Sequence, residues 1–94
     1  MPVQVTIDSQ PSGFKEYTLF EGKDYVIGRL PDSDVHIDHV QVSRTHARLT
    51  HASDGVWWFE DISSVGSYAN GKRITRLPIK DTTDLKIGPV HCKL

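Results

Sequence analysis

Hydrophobic and polar positions alternate in short runs through most of this chain. Val3, Val5 and Ile7 interleave with Gln4, Thr6 and Asp8, the period-two pattern of a strand with one buried face, and Ser9-Gln10-Pro11-Ser12-Gly13 reads as the turn after it. A second arm from Phe14 to Phe20 places Tyr17 and Leu19 on one side, and Glu21-Gly22-Lys23-Asp24 turns the chain again. Tyr25 to Gly28 is rich in β-branched and aromatic residues, a third strand that delivers Arg29 just past its end. Pro31-Asp32-Ser33-Asp34 reads as a turn, Val35 and Ile37 mark a short strand, and Asp38 to Gln41 form a polar loop. Ala47 to His51 alternates once more and ends at the hairpin signal Asp54-Gly55. Val56 to Ile62 is the most aromatic strand, and alternation predicts that one of Trp57 and Trp58 enters the core while the other faces out.

Asn70-Gly71 is a tight-turn pair joining Ser67–Ala69 to Lys72–Ile74, and Leu85 to Leu94 supplies two last short strands around Gly88-Pro89. No segment carries a convincing helical pattern. About ten to eleven short strands with turns at close intervals predict an all-β chain folded as an antiparallel β-sandwich.

Composition narrows the partners. The 94 residues amount to one domain, 1–94, large enough for a modest core without metal or disulfide staples. A formal net charge of −1 with 24% charged residues argues against nucleic-acid or anionic-membrane binding, both of which need a broad basic face, so basic character must be local. The single cysteine, Cys92, has no internal disulfide partner, fits a reducing compartment, and reads as an inert small residue near the end of a terminal strand. No apolar run approaches the roughly 20 residues that cross a bilayer, and the amino terminus lacks a secretory pattern, so the expected location is cytoplasmic.

The candidate chemistry sits between Tyr25 and His46. Two guanidinium groups, Arg29 and Arg44, and the hydroxyl of Ser43 are placed to converge at one sheet edge, and forked guanidinium donors match a phosphate or carboxylate. Ser43 and His46, three apart, also raise an activated nucleophile, but a triad needs an orienting group and an oxyanion hole, and neither is marked. His36, His39, His51 and His91 are scattered without the paired spacing of a zinc site, so no metal or cofactor is expected.

Gly28-Arg29, Ser43-Arg44-Thr45-His46 and Ser63-Ser64-Val65-Gly66-Ser67-Tyr68-Ala69-Asn70-Gly71 resemble, in order and spacing, the signature of forkhead-associated (FHA) domains across the central half of the chain. The resemblance implies a sandwich with its binding loops at one end and a signalling module, not an enzyme, whose partner is a phosphothreonine-containing protein or peptide, a Ser/Thr kinase substrate. Such a module is usually one part of a longer protein. By the same resemblance Arg29 and Ser43 hold the phosphate, Arg44 and Ser64 add contacts, and Gly28, His46, Gly66, Asn70 and Gly71 support the loops. Val65 falls where the family usually carries an asparagine whose amide grips the peptide main chain. Valine has no donor or acceptor to offer there, and one or two lost hydrogen bonds cost roughly 1–3 kcal/mol of binding. The rival reading is a degenerate, phosphate-independent interaction or assembly scaffold, with Val65 turning the loop surface apolar. Selectivity for flanking residues is expected from Leu30 to Asp34 and Val65 to Tyr68.

Overall fold

A computed structural model describes residues 2–8, 13–80 and 82–94. The strands are β1 (Val3–Asp8), β2 (Phe14–Leu19), β3 (Tyr25–Gly28), β4 (Val35–His36), β5 (Ala47–His51), β6 (Trp57–Asp61), β7 (Ser67–Ala69), β8 (Lys72–Ile74), β9 (Arg76–Ile79), β10 (Asp84–Ile87) and β11 (Val90–Lys93). They form two sheets, β2-β1-β11-β10-β7-β8 and β4-β3-β5-β6-β9. The expected turn over residues 9–12 lies outside the described residues. Among those described there is no helix, hence none long and apolar enough to cross a membrane.

Alternation fills the core. Val3, Val5 and Ile7 of β1, Ile27 of β3, Leu49 of β5, Phe59 of β6, Leu85 and Ile87 of β10 and Cys92 of β11 are buried together, while their strand neighbours face outward. Burial removes Cys92 from solvent and pushes its thiol pKa up to about 12. Of the adjacent tryptophans, Trp57 is buried, and Trp58 is half-buried on the outer face beneath the Arg76 guanidinium, 3.9 Å from the ring centre.

Two features depart from the sequence expectation. The sandwich is antiparallel as expected except at one pair that alternation does not reveal: β3 and β4 run in parallel, Ile27 beside Val35 and Gly28 beside His36. A parallel return normally needs a long crossover; β4 is only two residues long, so the chain falls back a short way and residues 29–34 suffice. The second departure is β9, which the sequence hides because Pro78 interrupts it. It lies at the edge of its sheet, paired only to β6, where a residue without an N–H is tolerated.

The register then gathers the loops. Ile27 of β3 lies opposite Ala47 of β5, and Ala47 opposite Asp61 of β6. The end of β3, the start of β5 and the end of β6 therefore share one end of the sheet. The 29–34, 37–46 and 62–66 loops all leave from it.

Candidate functional site

Backbone bonds hold the three loops together before any side chain acts. The Arg29 amide donates to the carbonyls of Ser43 and Arg44, both at 3.1 Å, and the His46 amide donates to the Ile27 carbonyl at 2.8 Å. The Ile62 amide donates in turn to the His46 carbonyl at 3.0 Å. Gly28 stands where the first two loops touch. A Cβ there would overlap the Arg44 carbonyl oxygen and lie 3.2 Å from the Ser33 hydroxyl, so close backbone approach, and not an unusual φ, excludes a side chain.

His46 is fully buried at the centre of this junction. Its Nδ1 accepts the Ser43 backbone N–H at 3.1 Å, which places the ring proton on Nε2. From Nε2 that proton reaches the Gly66 carbonyl at 3.0 Å and the Ser67 hydroxyl oxygen at 3.1 Å. Burial holds the imidazole pKa below its usual value, and the Gly66 carbonyl and nearby Asp61 only partly oppose that shift. The ring is thus neutral at physiological pH, with both nitrogens engaged and neither meeting the Ser43 hydroxyl. The serine–histidine spacing that raised a nucleophile is occupied by a brace between two loops.

Asp61 anchors the third loop. One carboxylate oxygen accepts the Ser63 hydroxyl at 2.6 Å, the Ser67 hydroxyl at 3.0 Å and the Ser63 amide at 3.3 Å. The Ser63 hydroxyl also accepts the Gly66 N–H at 2.8 Å, closing a turn in which Ser64 and Val65 occupy the outer corner. Its single proton is committed to Asp61, whereas Ser64 is exposed. Gly66 adopts φ +97°, and a Cβ there would meet the Arg73 guanidinium, Nε at 3.0 Å.

Arg29, Ser43, Arg44, Thr45, Ile62, Ser63 and Ser64 line one open depression. Four of the residues that the sequence put forward for phosphate, Arg29, Ser43, Arg44 and Ser64, are brought together there. Arg29 is pinned through its side chain as well, Nε donating to the Val42 carbonyl at 3.0 Å, and the ring Nε2 of His36 lies 3.1 Å from the Arg29 carbonyl oxygen. Val65 sits one residue beyond Ser64, 46% exposed. Asn70 and Gly71 lie apart, at the β7–β8 turn, with φ 53° and 78°. Open space surrounds Gly71, so its positive φ, and not any crowding, is what favours glycine.

Sequence reasoning missed Thr45 and Ile62 on the wall of the depression and Asp61, Ser63 and Ser67 behind it. Asp61-Ile62-Ser63 did carry a signal, because an aspartate commonly caps the amide two residues on.

A family model for the FHA domain matches residues 25–88. No curated protein sequence matches the chain. Among solved structures, FHA-1 of Mycobacterium tuberculosis Rv1747 is 28% identical, with a TM-score of 0.82 over 99% of this chain and 95% of that one. An FHA domain solved in an analysis of phosphothreonine-dependent FHA domain interactions is 25% identical, with a TM-score of 0.77 over 96% and 93%. Mycobacterium tuberculosis EmbR, in complex with a low-affinity phosphopeptide, is 25% identical with a TM-score of 0.75; the match covers 96% of this chain and 24% of EmbR.

Proposed function

This chain belongs to the FHA domain family, and on that footing we propose that it is a non-enzymatic module that binds phosphothreonine peptides of partner proteins phosphorylated by a Ser/Thr kinase. Arg29 and Ser43 hold the phosphate, Arg44 and Ser64 add a charge and a hydroxyl, and His46 fixes the relative position of the loops that carry them. The observation that carries this reading is the depression on which these four phosphate-side residues meet. Its guanidiniums offer forked donors to a dianion, and the backbone bonds at Arg29 set that residue in place without ligand, which lowers the ordering cost of binding. The phosphothreonine dependence of one similar FHA domain and the phosphopeptide held by EmbR point the same way.

The test is a titration with phosphothreonine peptides beside their unphosphorylated twins at physiological salt, where an unspecific attraction for anions is screened. Binding only to the phosphorylated set, lost in Arg29→Ala, supports the assignment; equal binding to both sets overturns it. A second reading, a phosphate-independent scaffold, draws on the exposed Ile62 and Val65 beside the depression. It expects whole-protein partners whose affinity is indifferent to Arg29→Ala.

A further inference from the structure

The five arginines of the described residues divide into two sets. Arg48 and Arg76 lie on the outer face of the β5-β6-β9 sheet and are satisfied locally: Arg48 pairs with Glu60 at 2.6 Å, and Arg76 covers the Trp58 ring. The other three flank a single loop. Arg29 and Arg44 line the depression together with Ile62, Ser63 and Ser64. Arg73, on β8, lies against Gly66 at the far end of the same turn, its guanidinium filling the space that a Gly66 side chain would need.

Arg73 is positioned, and among the described residues it has no anion. Gly66 provides the flat surface that receives it, and the ring edge of Tyr68, the residue opposite Arg73 in the β7–β8 pairing, adjoins the same point. Packing of this kind removes rotamer freedom in advance, so less is lost when the group binds. No carboxylate of the described residues lies within ion-pair distance of Arg73, and Asp61, at the start of the turn, turns one oxygen to Ser63 and Ser67. Net charge near −1 for the whole chain makes three cations around one six-residue stretch, 62–67, a local concentration and not a general basic surface.

We infer that Arg73 is a specificity-determining residue that pairs with a carboxylate side chain of the bound peptide, selecting phosphothreonine segments with an acidic residue on the side that crosses the 63–66 turn. The inference rests on the phosphopeptide reading above. A ligand whose phosphate lies between Arg29 and Arg44 must cross or skirt Ser64 and Val65 to continue toward β8, and Arg73 is the cation it meets there. Because this pair is partly solvated, its effect is modest in strength and sensitive to salt.

The experiment is a set of phosphothreonine peptides on an alanine background in which one glutamate is stepped through the flanking positions, titrated into the wild-type domain and into Arg73→Ala and Arg73→Lys. The quantity read is the ratio of affinities with and without the glutamate. The wild type is expected to show a gain of roughly three- to tenfold at one or two positions, lost in Arg73→Ala and partly kept in Arg73→Lys. An undiminished gain in Arg73→Ala, or no favoured position in a wild type that binds the alanine peptide in a phosphate-dependent way, overturns the role of Arg73 alone. Wild-type binding indifferent to the phosphate overturns the phosphopeptide reading and this inference with it.

Discussion

The Nδ1 atom of His46 accepts the backbone N–H of Ser43 at 3.1 Å, so the serine that faces the depression is set by a histidine that never reaches it. Removing the ring in His46→Ala strands the Ser43 N–H and the Ser67 hydroxyl oxygen and opens a void in a fully buried place. A loss of about 3 kcal/mol is expected, read as a lower urea midpoint with an unchanged slope. Phosphopeptide affinity should fall as well, since the Ser43 loop loses its tie to Gly66.

The same ring makes stability depend on pH. Its folded pKa lies below the ordinary 6.5 because burial disfavours the cation. As pH falls below that value the unfolded chain takes up the proton first, so stabilisation present above about pH 6.5 is lost as the pH drops through the folded pKa. Urea melts between about pH 7.5 and pH 5 should show a steeper loss in the wild type than in His46→Ala; parallel curves would remove His46 as the cause.

Gly28→Ala tests the loop junction. The added methyl runs into the Arg44 carbonyl, which also accepts the Arg29 and Leu30 amides. Destabilisation of about 2–3 kcal/mol is expected, together with weakened phosphopeptide binding because Arg44 and Arg29 are displaced. Gly71→Ala, where the surroundings are open and only the positive φ is strained, should cost about 1 kcal/mol in the same melts and leave binding alone.

Arg29→Ala separates binding from folding. The substitution removes one bond to the Val42 carbonyl, worth roughly 1 kcal/mol of stability, while removing a forked donor from the phosphate. Calorimetric titration should show at least a roughly hundredfold weaker complex from a domain that still melts cooperatively. An undiminished affinity would sink the assignment of Arg29.

Much of the architecture was legible because a sandwich built from short strands writes its buried face directly into alternation. The bounds of β3, β5, β7 and β8 follow from that pattern and from Asn70-Gly71. What stayed hidden has physical reasons. Pro78 reads as a breaker unless its strand is known to lie at a sheet edge, and edges are a property of topology. The resemblance marks His46 as a loop support, but its partners Gly66 and Ser67 lie some twenty residues away, and only the folded register brings them near. Ser63 and Ser64 are indistinguishable as letters. The structure separates them by spending the Ser63 hydroxyl on Asp61 and the Gly66 amide.

Val65 offers the sharpest test of how the site is tuned. It stands at the outer corner of the Ser63–Gly66 turn, 46% exposed, where its side chain offers a ligand no donor or acceptor. The turn itself is held by Ser63, Asp61 and Gly66, none of which involves the residue-65 side chain, so Val65→Asn should leave stability within about 0.5 kcal/mol. An asparagine amide at that corner adds one donor and one acceptor beside the depression. If a phosphopeptide passes over the turn, one or two new hydrogen bonds should strengthen binding by about tenfold, and the unphosphorylated twin should gain far less because it is not anchored at Arg29. Paired titrations of wild type and Val65→Asn decide the matter. A gain confined to phosphorylated peptides means that the Arg29–Ser43 site is intact and valine sets its affinity low. No gain from a well-folded variant means that the peptide does not cross this corner, and the exposed Ile62 and Val65 then belong to an apolar contact with a whole protein.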